Sequence, residues 1–221
     1  MRRMIITLAL AGAAAPLGAQ ATGTGAAAPQ GQEETRLPPG WQMRIDPGRR
    51  PAPVTMMAMG NGFHLNTGRG SGIFWHPRHQ AGGEFELQAS FAQRNAAEGH
   101  AEAYGLVFAG TNLEAENQAY LYFVVRGTGE YMIRHRAGTE VHTIADWTAH
   151  PAIVKVGADG SASNDLAVRV GADSVRFVIN GQQVMAYSRA QMSETDGQVG
   201  LRANHRTELH VGRFEVIARS R

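Results

Sequence analysis

The sequence contains no cysteine and only one lysine, Lys155, among its 221 residues. The absence of cysteine excludes disulfides, a thiol nucleophile, thiolate metal sites and a lipid anchor on cysteine. The G-x-S-x-G elbow, the H-E-x-x-H zinc motif and a glycine-rich phosphate loop between a strand and a helix are also missing. The core alone must therefore hold the fold, and no specific signature indicates a class of catalysis.

The chain also has only a small formal net charge, +2 at pH 7. It has 21 basic and 19 acidic residues, and removing Arg2 and Arg3 with a leader leaves 19 of each. A neutral domain offers no electrostatic reason to bind nucleic acid or an anionic membrane surface.

The N-terminus has the pattern of a secretory signal. Arg2 and Arg3 precede the apolar run Met4–Ala15, and an A-x-A cleavage pattern follows at Ala19-Gln20-Ala21. The apolar run is too short to span a membrane, so we expect an exported protein, periplasmic or extracellular, whose mature chain has no integral membrane segment. The predicted organisation is a signal peptide at 1–21, a disordered Pro/Gly-rich linker at 22–40 and a β-sandwich domain at 41–221.

Short strands separated by tight turns dominate the rest of the chain. The 27 glycines and 9 prolines are spread along it, and no helical period of twelve residues follows the leader. About thirteen strands predict an all-β fold, a two-sheet antiparallel β-sandwich of the jelly-roll, concanavalin A-like type. One strand is expected to stop at Pro77, Trp147–Pro151 is expected to be a loop, and a bulge is expected near Gly212.

The most informative stretch, Tyr104–Gly138, reads as three consecutive strands. Alternation places Leu121 and Phe123 on one side and Tyr120 and Tyr122 on the other. A three-residue loop Gly127-Thr128-Gly129 predicts that Tyr122 opposes Arg134 and Tyr120 opposes Arg136, whereas a two-residue Thr128-Gly129 turn would pair Tyr122 with His135.

The order of the motifs resembles a known fold family. YGLVFAG, AYLYFVVRGTGEYMIRHRAG, the NDLAVRV…VRFVINGQQV meander and DGQVGLRANHRTELHVGRFEV are together similar to laminin G-like and concanavalin A-like jelly rolls. More narrowly, Trp41 to Ile217 resembles the bacterial secreted 3-keto-disaccharide hydrolase-like family, formerly a domain of unknown function. The resemblance implies a sugar-handling protein of the bacterial envelope, and some relatives are thought to cleave or hydrate 3-keto-glycosides. The acidic and metal-ligand pattern that would transfer catalytic residues is missing here.

The face with tyrosines and arginines is the first candidate for a binding site. Aromatic faces attract the C–H groups of sugars, and planar guanidiniums donate paired hydrogen bonds to hydroxyls. Tyr120, Tyr122, Arg134 and Arg136 supply both groups, although the same residues could simply cover an outer sheet.

Trp75-His76-Pro77 is the second candidate, at a predicted strand end where sites are common. His76 could act as the catalytic acid or base next to a keto group, with Trp75 and His205 as further ligand-binding residues. The alternative is that Trp75 is core and His76 caps the turn.

No metal or cofactor is predicted. The nine histidines are scattered, with no paired ligand motif. Glu114, Glu116 and Asn117 offer oxygens to a divalent cation such as calcium, but their loop lacks the density of a dedicated calcium site.

The leading functional hypothesis is an exported carbohydrate-binding β-sandwich acting on or near envelope glycans, with a carbohydrate or other small polar ligand as partner. The first alternative is an enzyme, a 3-keto-glycoside hydrolase or lyase with a loop histidine as acid or base. The second is a structural envelope interaction module.

Overall fold

A computed structural model describes residues 35–47, 53–192 and 194–219. The predicted signal peptide and all but the end of the predicted linker lie outside the described residues. None of the described residues forms a helix long and apolar enough to cross a membrane. In the part that was expected to be linker, Arg36 forms an isolated parallel bridge with Thr55.

Fourteen strands make up nearly all of the regular structure, and their short apolar runs and turn residues explain why the chain forms strands. A short 3₁₀ turn, Arg189–Gln191, lies between β12 and β13. The strands are β1 (Gln42–Ile45), β2 (Thr55–Met59), β3 (Gly62–Asn66), β4 (Gly72–Ala81), β5 (Phe85–Arg94), β6 (Ala103–Thr111), β7 (Ala119–Arg126), β8 (Glu130–Ala137), β9 (Glu140–Ala149), β10 (Ala162–Val170), β11 (Ser174–Ile179), β12 (Gln182–Ser188), β13 (Gly197–Ala203) and β14 (Glu208–Ala218).

Two antiparallel sheets of seven strands pack face to face, which confirms the predicted sandwich. The first sheet has the order β1-β4-β13-β6-β7-β8-β9, and the second has the order β12-β11-β10-β5-β14-β3-β2. The core between them contains Phe74, Phe91, Leu106, Phe123 and Phe177, all essentially buried. A second, smaller cluster lies on the face of the first sheet that points away from this core, and we name that face the outer face.

The central hairpin has the register that a three-residue loop predicts. Arg126 pairs with Glu130, so Gly127-Thr128-Gly129 forms the loop, and Tyr122 and Tyr120 oppose Arg134 and Arg136. The alternative register, with Tyr122 opposite His135, does not occur. The loop length therefore determines which side chains meet across the hairpin.

Two boundaries differ from the sequence-based expectation. Strand β4 continues through Pro77 to Ala81, because the register of β13 against β4 shifts between Gln198 and Gly200 and the ladder is interrupted beside the proline. Strand β9 extends to Ala149 and includes Trp147, with register shifts against β8 that accommodate its irregular pattern. The bulge expected near Gly212 is confirmed by the shift in β14 between Gly212 and Glu215.

Candidate carbohydrate-binding face

The alternation of β7 and β8 places tyrosines and arginines on the outer face of the first sheet. Leu121 and Phe123 of β7 belong to the core between the sheets, while Tyr120 and Tyr122 belong to the outer cluster. Arg134 and Arg136 stand directly across from them on β8. Trp75 of β4 joins the same outer cluster, so the structure brings these predicted residues to one face.

An ion pair that the sequence did not indicate lies at the middle of this face. Arg202 of β13 binds Asp46, the residue after β1, with Nη2 at 2.5 Å from Oδ2 and Nη1 at 3.4 Å from Oδ1. The Arg202 side chain is 11% exposed. Such a paired, nearly buried guanidinium is held in one orientation by both carboxylate oxygens.

The guanidinium of Arg202 also reaches across the sheet to Tyr122. Its central carbon lies 5.1 Å from the centroid of the Tyr122 ring, two strands away. Gly105 of β6 is the register partner of Arg202 and lies between Arg202 and β7. A Cβ at Gly105 would come within 2.1 Å of the Phe123 carbonyl oxygen, so the position requires glycine.

Electrostatics couples these groups. Burial by itself would lower the pKa of Arg202, but the charge and hydrogen bonds of Asp46, with the nearby phenols of Tyr120 and Tyr122, hold that pKa above its usual value. Burial raises the pKa of Tyr120, although Arg202 and Arg136 act in the opposite direction. At neutral pH Arg202 is therefore a fixed cation and Tyr120 a neutral phenol.

The loop between β6 and β7 lies against the aromatic part of the outer face. Leu113 from this loop is fully buried in the outer cluster, and Arg44 Nη1 of β1 donates to the Glu114 carbonyl oxygen at 2.9 Å. Trp75 and Tyr120 are consequently only 2% and 1% exposed. Their rings are covered in this structure, whereas Arg134 and Arg136 of β8 are only half-buried.

A half-buried tryptophan borders the same face. The Arg126 guanidinium lies 4.2 Å from the Trp147 ring centroid and forms two hydrogen bonds with Glu130, at 3.0 and 3.2 Å. Trp147 packs against the outer cluster from β9. Sequence reasoning missed this residue because its segment was expected to be a loop.

His76 is separated from Trp75 by the alternation of β4. Its ring lies on the opposite side of the sheet, 6.3 Å from the ring of Trp41 and 4.9 Å from the ring of His79. His76 Nδ1 accepts a hydrogen bond from the Arg78 backbone N–H at 3.1 Å, and Gly40 packs so closely on the ring that a Cβ there would lie 2.4 Å from Nε2. The structure thus places His76 under a turn, away from the tyrosines and arginines.

His205 lies in the turn between β13 and β14. Its Nε2 is 3.1 Å from Glu102 Oε1, and its backbone N–H donates to Ser71 Oγ at 2.9 Å. These partners belong to the loops at one end of the sandwich, next to His100, whose pKa is lowered chiefly by burial. His205 is therefore positioned by loop contacts and not by the tyrosine–arginine rows.

Within the part of the chain that the structure describes, no group of three or more His, Asp or Glu side chains is arranged to hold a metal ion. The predicted oxygen-rich loop uses the Glu114 carbonyl to accept from Arg44, and the side chains of Glu114, Glu116 and Asn117 are exposed.

Asp46 and Arg202 are two further residues that sequence reasoning missed on this face. The available signal was a lone arginine within the apolar run of β13, where a charge needs a partner. Asp46 precedes Pro47 in a local sequence that is typical of a turn, and nothing there connects it with a residue 156 positions away.

No family model and no curated protein matches this chain. Solved structures do match. The carbohydrate binding module CBM66 from Bacillus subtilis has a TM-score of 0.59 at 12% identity, over 81% of this chain and 96% of that chain. A Bacillus subtilis protein of unknown function with a galectin-like fold has a TM-score of 0.56 at 16% identity, over 80% and 88%. The exoplasmic/lumenal domain of VIP36 has a TM-score of 0.57 at 8% identity, over 83% and 85%. These similarities establish a lectin-like jelly-roll fold.

Proposed function

We propose that this chain is an exported domain that binds carbohydrate through the outer face of the first sheet. The observation that supports it most directly is that one face groups half-buried Arg136 with the Asp46–Arg202 pair and the Tyr120 phenol. Together they offer guanidinium donors, a carboxylate acceptor and a hydroxyl that can donate or accept. Neighbouring hydroxyls of a sugar ring need this mixture of donors and acceptors in fixed positions.

The structural neighbours support the same proposal at the level of fold. One is described as a carbohydrate-binding module and another as a carbohydrate recognition domain, that of Emp47p with a TM-score of 0.53 at 8% identity, over 86% of this chain and 93% of that chain. At these identities a shared fold transfers no ligand, so the argument for this chain depends on its own polar groups.

The proposed mode of binding is hydrogen bonding, with the aromatic rings as supports. Tyr122 lies under the Arg202 guanidinium and Trp147 lies against Arg126. Aromatic rings in these positions orient the guanidiniums, since a planar cation stacks on an aromatic face. Direct stacking of a sugar on Trp75 or Tyr120 would require the loop between β6 and β7 to move first.

We infer that envelope glycans are the setting, from the predicted export signal and the family resemblance. The alternative, a 3-keto-glycoside hydrolase or lyase with His76 as proton carrier, has less support. His76 lies on the other side of β4 from the arginines, and its Nδ1 already accepts a backbone hydrogen bond. A reaction on the outer face would need a different acid or base.

Ligand-observed NMR of the purified chain tests the proposal. A plain disaccharide and its 3-keto counterpart are each added with and without divalent cation, and saturation transfer and product peaks are recorded. Transfer without product supports a binding domain, and product establishes the enzyme. No response from either sugar, or from a wider glycan panel, contradicts the proposal and leaves the interaction module.

The matched variants are Arg136→Gln and Arg213→Gln. Arg136 is half-buried on the outer face, and its recorded hydrogen bond goes to the Gly138 carbonyl oxygen at 3.3 Å. Arg213 lies on the second sheet, where it pairs with Asp165 at 3.2 Å and is half-exposed. We expect saturation transfer to fall for Arg136→Gln and to be retained by Arg213→Gln. Equal loss in both variants would show that the outer face is not the site.

A further inference from the structure

The four outer-face arginines of β7, β8 and β13 differ in their partners. Arg126 and Arg202 each make two hydrogen bonds to one carboxylate, with Glu130 and Asp46 respectively. Arg134 has only Asp146, with Nη2 at 3.5 Å from Oδ1, and the Asp146 side chain is 76% exposed. Arg136 has only a backbone carbonyl oxygen. Among the described residues, no acid is therefore closely bound to Arg134 or Arg136.

One nitrogen atom in each of these two guanidiniums also lacks a hydrogen-bond partner. The Nε atoms of Arg134 and of Arg136 are both buried and have no hydrogen-bond partner within the described chain. A buried donor without an acceptor is unfavourable and requires an explanation, and a bound water, ion or ligand group that accepts from it is one. Nε and the adjacent Nη of a guanidinium form the fork that matches the two oxygens of a carboxylate.

The spacing of the two arginines defines the size of the anion they can share. Residues two apart on one strand point to the same face about 7 Å apart. Their positions opposite Tyr122 and Tyr120 place both guanidiniums beside the proposed sugar site. Two like charges at this distance repel each other, and an anionic group between or above them removes that repulsion.

From these observations we propose that the ligand is an acidic saccharide, with a sugar carboxylate of the uronic acid type bound by Arg134 and Arg136. The inference rests on the proposed function and names the chemical class of its ligand. Asp146 occupies part of the same position in the free protein. Because it is mostly exposed and held at 3.5 Å, a ligand carboxylate displaces it readily.

The test compares matched sugars by isothermal titration calorimetry. The probes are a disaccharide that contains glucuronic acid, the same disaccharide with its carboxyl reduced to the alcohol, and a disaccharide that has no carboxyl group but carries a sulfate ester. We expect the carboxylate to bind at least tenfold more tightly than the reduced sugar. We also expect its affinity to fall as salt is raised from about 50 to 500 mM, since exposed charge pairs are screened.

Variants assign the effect to the two arginines. Arg134→Gln should weaken binding of the acidic disaccharide by about ten- to hundredfold, as expected for loss of a charge-assisted bidentate contact, and weaken binding of the reduced sugar by a much smaller factor. Asp146→Asn should strengthen binding of the acidic sugar, because a competing carboxylate is removed. Arg213→Gln, in an exposed pair on the other sheet, is the control and should change neither affinity.

The outcomes separate this inference from the proposed function. If the acidic and reduced sugars bind with equal affinity and Arg136→Gln still weakens both, the proposal of an acidic ligand is wrong and the proposal of carbohydrate binding stands. Binding of the sulfated sugar alone overturns the carboxylate assignment. Binding of none of the three by a folded protein overturns both proposals.

Discussion

Replacing Asp46 by asparagine removes one charge and keeps the side-chain shape, so it isolates the contribution of the ion pair with Arg202. The carboxylate holds both terminal nitrogens of a guanidinium that is 11% exposed, while Asp46 itself is 24% exposed. In the variant, Arg202 stays charged because an arginine guanidinium is not deprotonated in proteins at neutral pH. The change therefore leaves a nearly buried cation without its anion.

Removing one partner of a buried ion pair typically costs about 3–5 kcal/mol in the free energy of unfolding. Asp46 retains some contact with water and asparagine still offers one acceptor, so the lower end, about 3 kcal/mol, applies. For a domain of this size each kcal/mol corresponds to about 2–4 °C in Tm, which predicts a decrease of about 6–12 °C.

Chemical denaturation followed by circular dichroism measures the free energy of unfolding of wild type and Asp46→Asn. The double variant Asp46→Asn/Arg202→Met is measured in the same way. A methionine of similar length removes the unpaired cation, so the double variant should regain at least half of the lost stability. Arg134→Gln, whose partner is mostly exposed, should cost less than 1 kcal/mol. A loss below 1 kcal/mol for Asp46→Asn, or no recovery in the double variant, would refute the claim that the pair is buried and coupled.

Three further predictions address other parts of the fold. Gly200→Ala should cost several kcal/mol in denaturation, because its Cβ would lie 2.3 Å from the Phe74 carbonyl oxygen, whereas Gly171→Ala, with its nearest contact at 3.5 Å, should be tolerated. Burial by itself would raise the pKa of Glu86, but the hydrogen bonds that it accepts from two arginines lower that pKa below the usual 4.5. The difference in unfolding free energy between wild type and Glu86→Gln should therefore be complete above pH 4.5 and should shrink as the pH falls through the lowered pKa. The pKa of His79 is lowered by burial and by a neighbouring histidine, so acidification below 6.5 should destabilise wild type more than His79→Gln; equal melting curves at pH 5 would contradict this.

Much of the fold was predictable because its signals are local. The loop Gly127-Thr128-Gly129 and the alternation on either side of it determine the pairing of Tyr122 with Arg134 without any information from elsewhere in the chain. Strand β5 is similar, since Phe85 and Leu87 on one side and Glu86 on the other predict which face meets the core.

The site was less predictable because its central contacts are not local. Asp46 meets Arg202 only after β1 and β13 have both paired with β4. Sequence adjacency was also misleading at Trp75 and His76, since neighbours on a strand point to opposite faces unless a bulge intervenes. Pro77 was read as a strand end because a missing N–H usually stops a ladder, yet the register shift opposite it removes that requirement.

The two faces of the first sheet illustrate how one alternating pattern can serve both folding and the recognition proposed here. Inward residues such as Phe123 bury apolar area, and their outward neighbours are tyrosines that carry a hydroxyl beyond an apolar ring. The rings stabilise the sheet whether or not a ligand is present, so they need not be exposed to contribute to a site. Their proposed role is to hold guanidiniums in place, and specificity then comes from which guanidiniums lack an acid. On that argument, the exchange Tyr122→Phe should change affinity little, while loss of the weakly paired charge of Arg134 should change it most.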